Sequence, residues 1–350
     1  MRQVTIATKG TWAWMGIPGI ERAEANGRLW ATLYTGGPKE PDPDNVVLLT
    51  TSADDGATWS APQVVAAPPA PTRAYDPCLW YDPAGRLWLF YNHARRATDG
   101  EGGADFSVWA MVADDASSDD ASSTTPAWSP PRRLALGAPG EVPFAFRMNK
   151  PTVLTDGTWA LPVTWAREVP ASSMGGWFPG PGQLQGVALS HDQGVTWALH
   201  GAIEAPHWAL ESMVVERRDG RLWMLIRTGA GVLWQSFSED GGRTWSGGSP
   251  TAIVNPGTRF FIRRLASGRL LMINTPHPKE RTGMVAFLSE PDDDDAFSQQ
   301  LVLDPRERVS YPDAVESPAG RIYAIHDRDR AGVGEVILTV FDEAEVVSRR

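Results

Sequence analysis

Short apolar runs entered through an X-Gly turn recur along the whole chain. The six segments are Asn26-Gly27-Arg28-Leu29-Trp30, Ala84-Gly85-Arg86-Leu87-Trp88, Asp156-Gly157-Thr158-Trp159, Asp219-Gly220-Arg221-Leu222-Trp223, Ser267-Gly268-Arg269-Leu270-Leu271 and Ala319-Gly320-Arg321-Ile322-Tyr323. Glycine supplies the positive φ of a tight hairpin, and Asn, Asp or Ser before it suits the partner position. The glycines lie about 50–70 residues apart, the length of a four-stranded blade with variable loops. Helical periodicity is nearly absent, and 34 glycines with 29 prolines suit many short strands joined by turns. The pattern predicts an all-β chain, a single six-bladed β-propeller domain over residues 1–350, with four antiparallel strands per blade.

A second repeat has the form Ser-x-Asp-x-Gly-x-Thr-Trp and occurs at Ser52–Trp59, Ser190–Trp197 and Ser238–Trp245. Its Asp and Ser side chains can bond turn amides, Gly takes the positive φ, and Trp anchors the turn between sheets. These aspartates are therefore read as structural. A degenerate copy starts at Ser289, where Asp292 to Asp295 replace the Gly and Trp; it lacks the alternating ligand spacing of a calcium loop and reads as a solvated turn. Two stretches look like insertions. Asp114 to Pro131 is a solvated loop of the second blade. Val169 to Gly182 carries Met174, Trp177 and Phe178, which suit either a pocket wall or lid, or a loop packed on its own blade.

Composition narrows the function. Hydrophobic residues make up 42% of the chain and tryptophans number 16, more than core filling needs, so some should punctuate the repeat and others line a site. The net charge is −10, with no Lys/Arg block, which argues against nucleic acid or an anionic membrane as partner. An acidic chain that binds an anion must concentrate positive charge locally. The single cysteine, Cys78, excludes an internal disulfide and a Cys-based zinc site, and the histidines show no metal-ligand spacing, so no metal or cofactor is expected. Met1 to Ile6 lacks the apolar stretch of a signal peptide and no run approaches a membrane span. The expected location is cytoplasmic, or secreted or periplasmic if a leader has been removed.

The hairpins also act as a ruler. In each blade the strand before the glycine is innermost and the next returns antiparallel, so its end emerges beside the start of the first. Counting nine residues back from each glycine gives Pro18, Asp76, Met148, Glu211, Arg259 and Tyr311; counting seven forward gives Tyr34, Asn92, Thr164, Arg227, Thr275 and Asp327. Charged groups at one register of symmetry-related strands point to a convergent polar pocket. By contrast, the run Asp327-Arg328-Asp329-Arg330 reads as a solvated ion-pair cluster, with Asp327 the member facing the channel.

At these positions the chain resembles the sialidase superfamily, in its bacterial Asp-box (BNR-repeat) branch, over essentially its full length. Glu211 to Glu216 and Asp219 through Arg227 look like the stretch carrying the glutamate partner of the nucleophile and the second arginine of a carboxylate-binding triad. Asn274-Thr275-Pro276-His277 through Arg281 looks like the stretch carrying the third, and Ser310-Tyr311-Pro312-Asp313 like that of the nucleophilic tyrosine. The resemblance implies that Tyr311 attacks the anomeric carbon while Glu211 takes its proton. A tyrosine, with an ordinary pKa near 10, needs such a base, and arginine provides a permanently charged fork for a carboxylate.

Departures from the family bear on the substrate. Where the family has Arg-Ile-Pro, this chain reads Gly16-Ile17-Pro18, so the first arginine is missing. Arg259 stands where it could supply that charge, and Lys150 adds another cation near the inner register. The acid is sought at Asp76, or at Asp42 or Asp44 in the loop where the family keeps its aspartate. The implied activity is that of an exo-acting, retaining glycosidase on a glycan ending in an acidic sugar, with substrate contacts from Arg227, Arg259, Arg281, Lys150, Asp327 and His277. Competing readings are a glycosidase or lyase on uronate- or rhamnose-containing glycans, with Tyr311 or His277 as the lyase base, and a non-catalytic sugar-binding propeller. A protein-interaction propeller fits the charged channel mouth less well.

Overall fold

The structure is a computed structural model that describes residues 1–96, 104–116, 124–137, 144–171, 173 and 180–348. Met174, Trp177 and Phe178, and much of the predicted insertion after Asp114, lie outside the described residues.

The described strands form six antiparallel sheets, the six blades of a propeller. The innermost strands are Met15–Arg22, Arg73–Tyr81, Phe144–Met148, Ala209–Glu216, Phe261–Arg264 and Val309–Glu316. Each is followed across its X-Gly hairpin by the second strand of the blade, from Leu29–Thr35 in blade 1 to Arg321–Arg328 in blade 6. The hairpin glycines adopt the expected left-handed conformation, φ 76–85°. Two blades have a short fifth strand: Thr152–Val153 continues the inner edge of blade 3, and Val347–Ser348 pairs with the outer edge of blade 5. The ring closes in blade 6, where Arg2–Thr8 is the outermost strand, paired with Glu335–Asp342.

The tryptophans seat the blades against each other. The hairpin residues Trp30, Trp88, Trp159 and Trp223 are buried, and arginines stack on all four, Arg28 on Trp30 and Arg86 on Trp88 at 5.6 Å, Arg86 on Trp159 at 5.9 Å and Arg217 on Trp223 at 5.3 Å. Between blades 2 and 3, Trp80, Trp88 and Trp159 meet edge-to-face or tilted, with Trp197 of the Asp-box beside them. All three Asp-boxes link the third and fourth strands of their blades. In the first, Ser52 Oγ donates to Asp54 Oδ1 (2.7 Å), the Gly56 and Thr58 amides donate to Ser52 Oγ and Asp54 Oδ1, and Trp59 Nε1 reaches the Gly56 carbonyl. The other two repeat this network. The degenerate fourth is held by ion pairs instead: Asp294 to Arg218 and Arg264, Asp295 to Arg217.

One cluster crosses the channel. Lys150 of blade 3 is fully buried, and its Nζ meets Glu21 (2.8 Å) and the Ile20 carbonyl (2.7 Å) of blade 1 and Asp313 (2.9 Å) of blade 6.

Candidate active site

The inner strands do not run evenly into the channel. Ladder pairing slips by an extra residue after Gly16, Tyr75, Ala145, Leu210 and Ser310, in five of the six blades. Such bulges bend the strand and re-aim a side chain. At four of them the chain turns into the left-handed region: Ile17 (φ 56°), Asp76 (46°), Glu211 (52°) and Tyr311 (55°). Non-glycine residues pay for this conformation, and such strain gathers at functional positions. Three of the four are the carboxylates and the tyrosine singled out from sequence.

These bulges converge with the strand ends. Arg227 Nη1 donates both to Glu211 Oε2 and to Tyr311 Oη (3.2 Å), while its Nε is pinned to the Gly257 carbonyl at 2.8 Å. Arg259 approaches Glu211 Oε1 at 3.6 Å. Arg147 Nε lies 2.6 Å from Asp76 and 3.7 Å from Glu211. Four guanidinium groups surround the Tyr311 ring, with carbons 4.9 Å (Arg330), 5.4 Å (Arg259), 5.5 Å (Arg281) and 5.7 Å (Arg227) from its centroid. Arg227 also stacks on Trp208 at 5.2 Å. Beside the cluster opens a cavity of about 620 Å³ bordered by Trp14, Glu40, Arg281, Ser310 and Arg330.

The charges are layered. Burial disfavours the Glu211 carboxylate, but Arg227, Arg259 and Arg147 more than offset this and hold its pKa below the ordinary glutamate value, so it is ionised and acceptor-only. For Asp76, burial outweighs Arg147 and Arg259, with Glu211 and Glu40 adding repulsion, and the pKa is raised. Burial also works against ionisation of Glu40, but Arg330 and the Tyr34 hydroxyl bonded to it pull its pKa down. Counted together, Arg147, Arg227, Arg259, Arg281 and Arg330 outnumber Asp76, Glu211, Glu40 and Asp327. A chain of net charge −10 thus concentrates cations here, as an anion site requires.

Asp76, Glu211, Arg227, Arg259, Arg281, Tyr311 and Asp327 all belong to this cluster. Asp327 is a support: it accepts the Ile17 amide (2.8 Å) and the Ser310 hydroxyl (2.7 Å) and lies 3.8 Å from Arg330. Lys150 does not join it, being consumed by Glu21 and Asp313. His277 is 40% exposed in its side chain and caps its own turn, its Nδ1 accepting the Lys279 and Glu280 amides. Asp42 spends Oδ1 on the Asp44 amide (3.0 Å) within its own loop, and Asp44 is exposed. The carboxylate of that loop that faces the cavity is Glu40.

Two arginines escaped the sequence reading. The ruler landed on Met148, but the extra residue at the blade 3 bulge makes Arg147 the one that enters the site. Arg330, assigned to a solvated cluster, instead turns inward, ion-pairs with Glu40 at 2.5 Å and borders the cavity. The ruler could not reach it, because it lies beyond the strand end Arg328.

The comparisons agree with this architecture. A family model described as BNR repeat-like domain matches residues 27–324. No curated protein matches the chain. Among solved structures, a protein of unknown function from Dyadobacter fermentans superposes with a TM-score of 0.77 at 17% identity, covering 100% of this chain and 98% of that one. The intramolecular trans-sialidase from Ruminococcus gnavus gives 0.73 at 16% identity, covering 99% and 98%. The NanB sialidase from Streptococcus pneumoniae gives 0.71 at 14% identity, covering 98% of this chain and 70% of that one. At these identities the likeness to the solved structures is one of fold. The long family match and the six closed blades, with their Asp-boxes and bulged inner strands, lead to one assignment: the chain belongs to the BNR repeat-like domain family and has the fold of the sialidases.

Proposed function

We propose that the protein is a retaining, exo-acting glycosidase on a glycan ending in an acidic sugar, sialic acid or a relative of it. The observation that carries this is the single guanidinium nitrogen, Arg227 Nη1, shared by Glu211 and Tyr311 within a ring of further arginines. It holds an ionised carboxylate beside a phenol that would otherwise have no base. A tyrosine nucleophile suits this positive setting, since a carboxylate nucleophile would repel an anionic sugar, and sialidases are among the recognised exceptions to the two-carboxylate rule.

In this reading Tyr311 Oη bonds to the anomeric carbon as the glycosidic C–O bond breaks, and Glu211 takes the phenolic proton. An acid protonates the departing oxygen. Asp76, whose raised pKa favours the protonated form, suits that role, whereas Glu40 at the cavity wall is held ionised by Arg330. Water then adds to the anomeric carbon as its bond to Tyr311 Oη breaks; the water gives its proton to the conjugate base of the acid, and Glu211 returns its own to the released tyrosyl oxygen. The sialidase fold of the neighbours supports the reading without fixing the sugar.

Aglycone release from aryl sialosides, glucuronides and rhamnosides tests it. Release is expected from an acidic glycoside, and Tyr311→Phe should lower it by roughly 10³-fold or more. A Phe variant that keeps the wild-type rate overturns the mechanism; cleavage of no acidic glycoside overturns the substrate class.

A further inference from the structure

The inner strand of blade 1 brings no charged side chain to the site, although Ile17 makes the same left-handed turn there as Asp76, Glu211 and Tyr311. Beside it stands Gly16, and the space that its side chain would fill is taken. A Cβ at position 16 would lie 2.6 Å from Arg330 Cγ, closer still to Arg330 Cδ, and 2.7 Å from Asp327 Oδ2. Arg330, arriving from beyond the second strand of blade 6, therefore runs through the gap left in blade 1.

Its surroundings suit a ligand-binding group. Of the four guanidinium carbons around Tyr311, that of Arg330 is nearest, at 4.9 Å. Asp327 backs its Nε at 3.8 Å while tied to Ile17 and Ser310. Glu40 occupies Nη1, and Nη2 has no hydrogen-bond partner among the described residues. Arg281, on the same cavity, is less engaged. Its side chain's one hydrogen bond among the described residues is a 3.5 Å reach to Ser310 Oγ, and no carboxylate there pairs with it. The side chain of Arg259 is 4% exposed, and its Nε and Nη2 are buried without hydrogen-bond partners. The guanidinium N–H groups that Arg330 and Arg281 leave over on one cavity make a fork for a planar anion.

We infer that Arg330, reaching through the Gly16 gap, binds the carboxylate of the terminal sugar together with Arg281, replacing an arginine that position 16 lacks. This rests on the acidic-sugar reading of the same site. Glycine at position 16 is then a requirement of the site, because any side chain there displaces Arg330.

Calorimetric binding of 2-deoxy-2,3-dehydro-N-acetylneuraminic acid and of its methyl ester provides the test. Wild type should prefer the acid. Arg330→Met and Gly16→Ala should each weaken the acid roughly 10- to 100-fold, the worth of a charged hydrogen-bond pair, and weaken the ester, a neutral acceptor, by no more than about 10-fold and by less than the acid. Gly16→Arg combined with Arg330→Gly, which returns the cation from blade 1, should recover most of the loss. Wild type that does not favour acid over ester, Arg330→Met with undiminished acid binding, or a double variant that stays weak would each overturn the inference. Cleavage of an aryl sialoside alongside unchanged Arg330→Met binding removes this inference alone. Arg330-dependent binding with no cleavage of any acidic glycoside removes the glycosidase reading alone.

Discussion

Asp54, Asp192 and Asp240 show how completely local bonding sets the character of a carboxylate. Each accepts a backbone amide and a threonine hydroxyl four residues on, and each has its pKa lowered to about 2, first by the threonine hydroxyl and then by the amide. All three lie in exposed turns, so burial plays little part. A depressed folded pKa contributes stability that is fully present above the unfolded value near 4 and is lost as pH falls through about 2. Asp54→Asn, Asp192→Asn and Asp240→Asn should therefore melt below wild type at pH 6, and the gap should close towards pH 2. Melting curves across that range check this, and a gap unchanged at pH 2 would contradict it. Glu211 reaches a low pKa by the opposite route, fully buried and rescued by three arginines. The three aspartates are held by their own turns, whereas Glu211 is held by arginines that converge on it.

At the scale of the element, the hairpin and the bulge do different work. Gly220 holds φ 81°, and a Cβ added there would meet nothing within 4 Å. Gly220→Ala thus carries only the conformational cost of a left-handed alanine, about 1 kcal/mol, and Gly220→Asn should cost less. Denaturant titration separates the two, and an asparagine variant weaker than the alanine variant would argue against a purely backbone effect. The hairpins were legible because turn chemistry is local. The bulges were not, since an extra residue in a ladder leaves no sequence mark. In blades 2, 4, 5 and 6 the ruler landed on Asp76, Glu211, Arg259 and Tyr311, but it pointed one residue past Ile17 in blade 1 and one past Arg147 in blade 3.

For the molecule as a whole, the channel is tied as well as lined. Lys150, expected from sequence among the substrate contacts, instead joins blades 1, 3 and 6 through Glu21 and Asp313. Removing a buried partner strands the opposing charges, so Lys150→Met should destabilise the protein by about 3–5 kcal/mol. Equilibrium unfolding measures this; a neutral effect would mean that the cluster relaxes or takes in water. Closure is the other global feature, since Arg2–Thr8 from the start of the chain completes the last blade. Among the described residues no helix is long and apolar enough to cross a membrane.

The six-fold hairpin and the Asp-box are written in adjacent residues, so the propeller, its blade count and the structural aspartates followed from turn chemistry and hydrophobic runs. Tyr311, Glu211 and Arg227 followed from the regular spacing that symmetry imposes on strands. The partner of each arginine did not. Whether Arg330 faces solvent or Tyr311 depends on the gap at Gly16, more than 300 residues earlier in the chain. Whether Lys150 binds a sugar or plugs the channel depends on Glu21 and Asp313, in blades distant in sequence. Charge pairing acts through space over a few ångströms, and the order of residues along the chain carries no record of which side chains the closed ring brings that close.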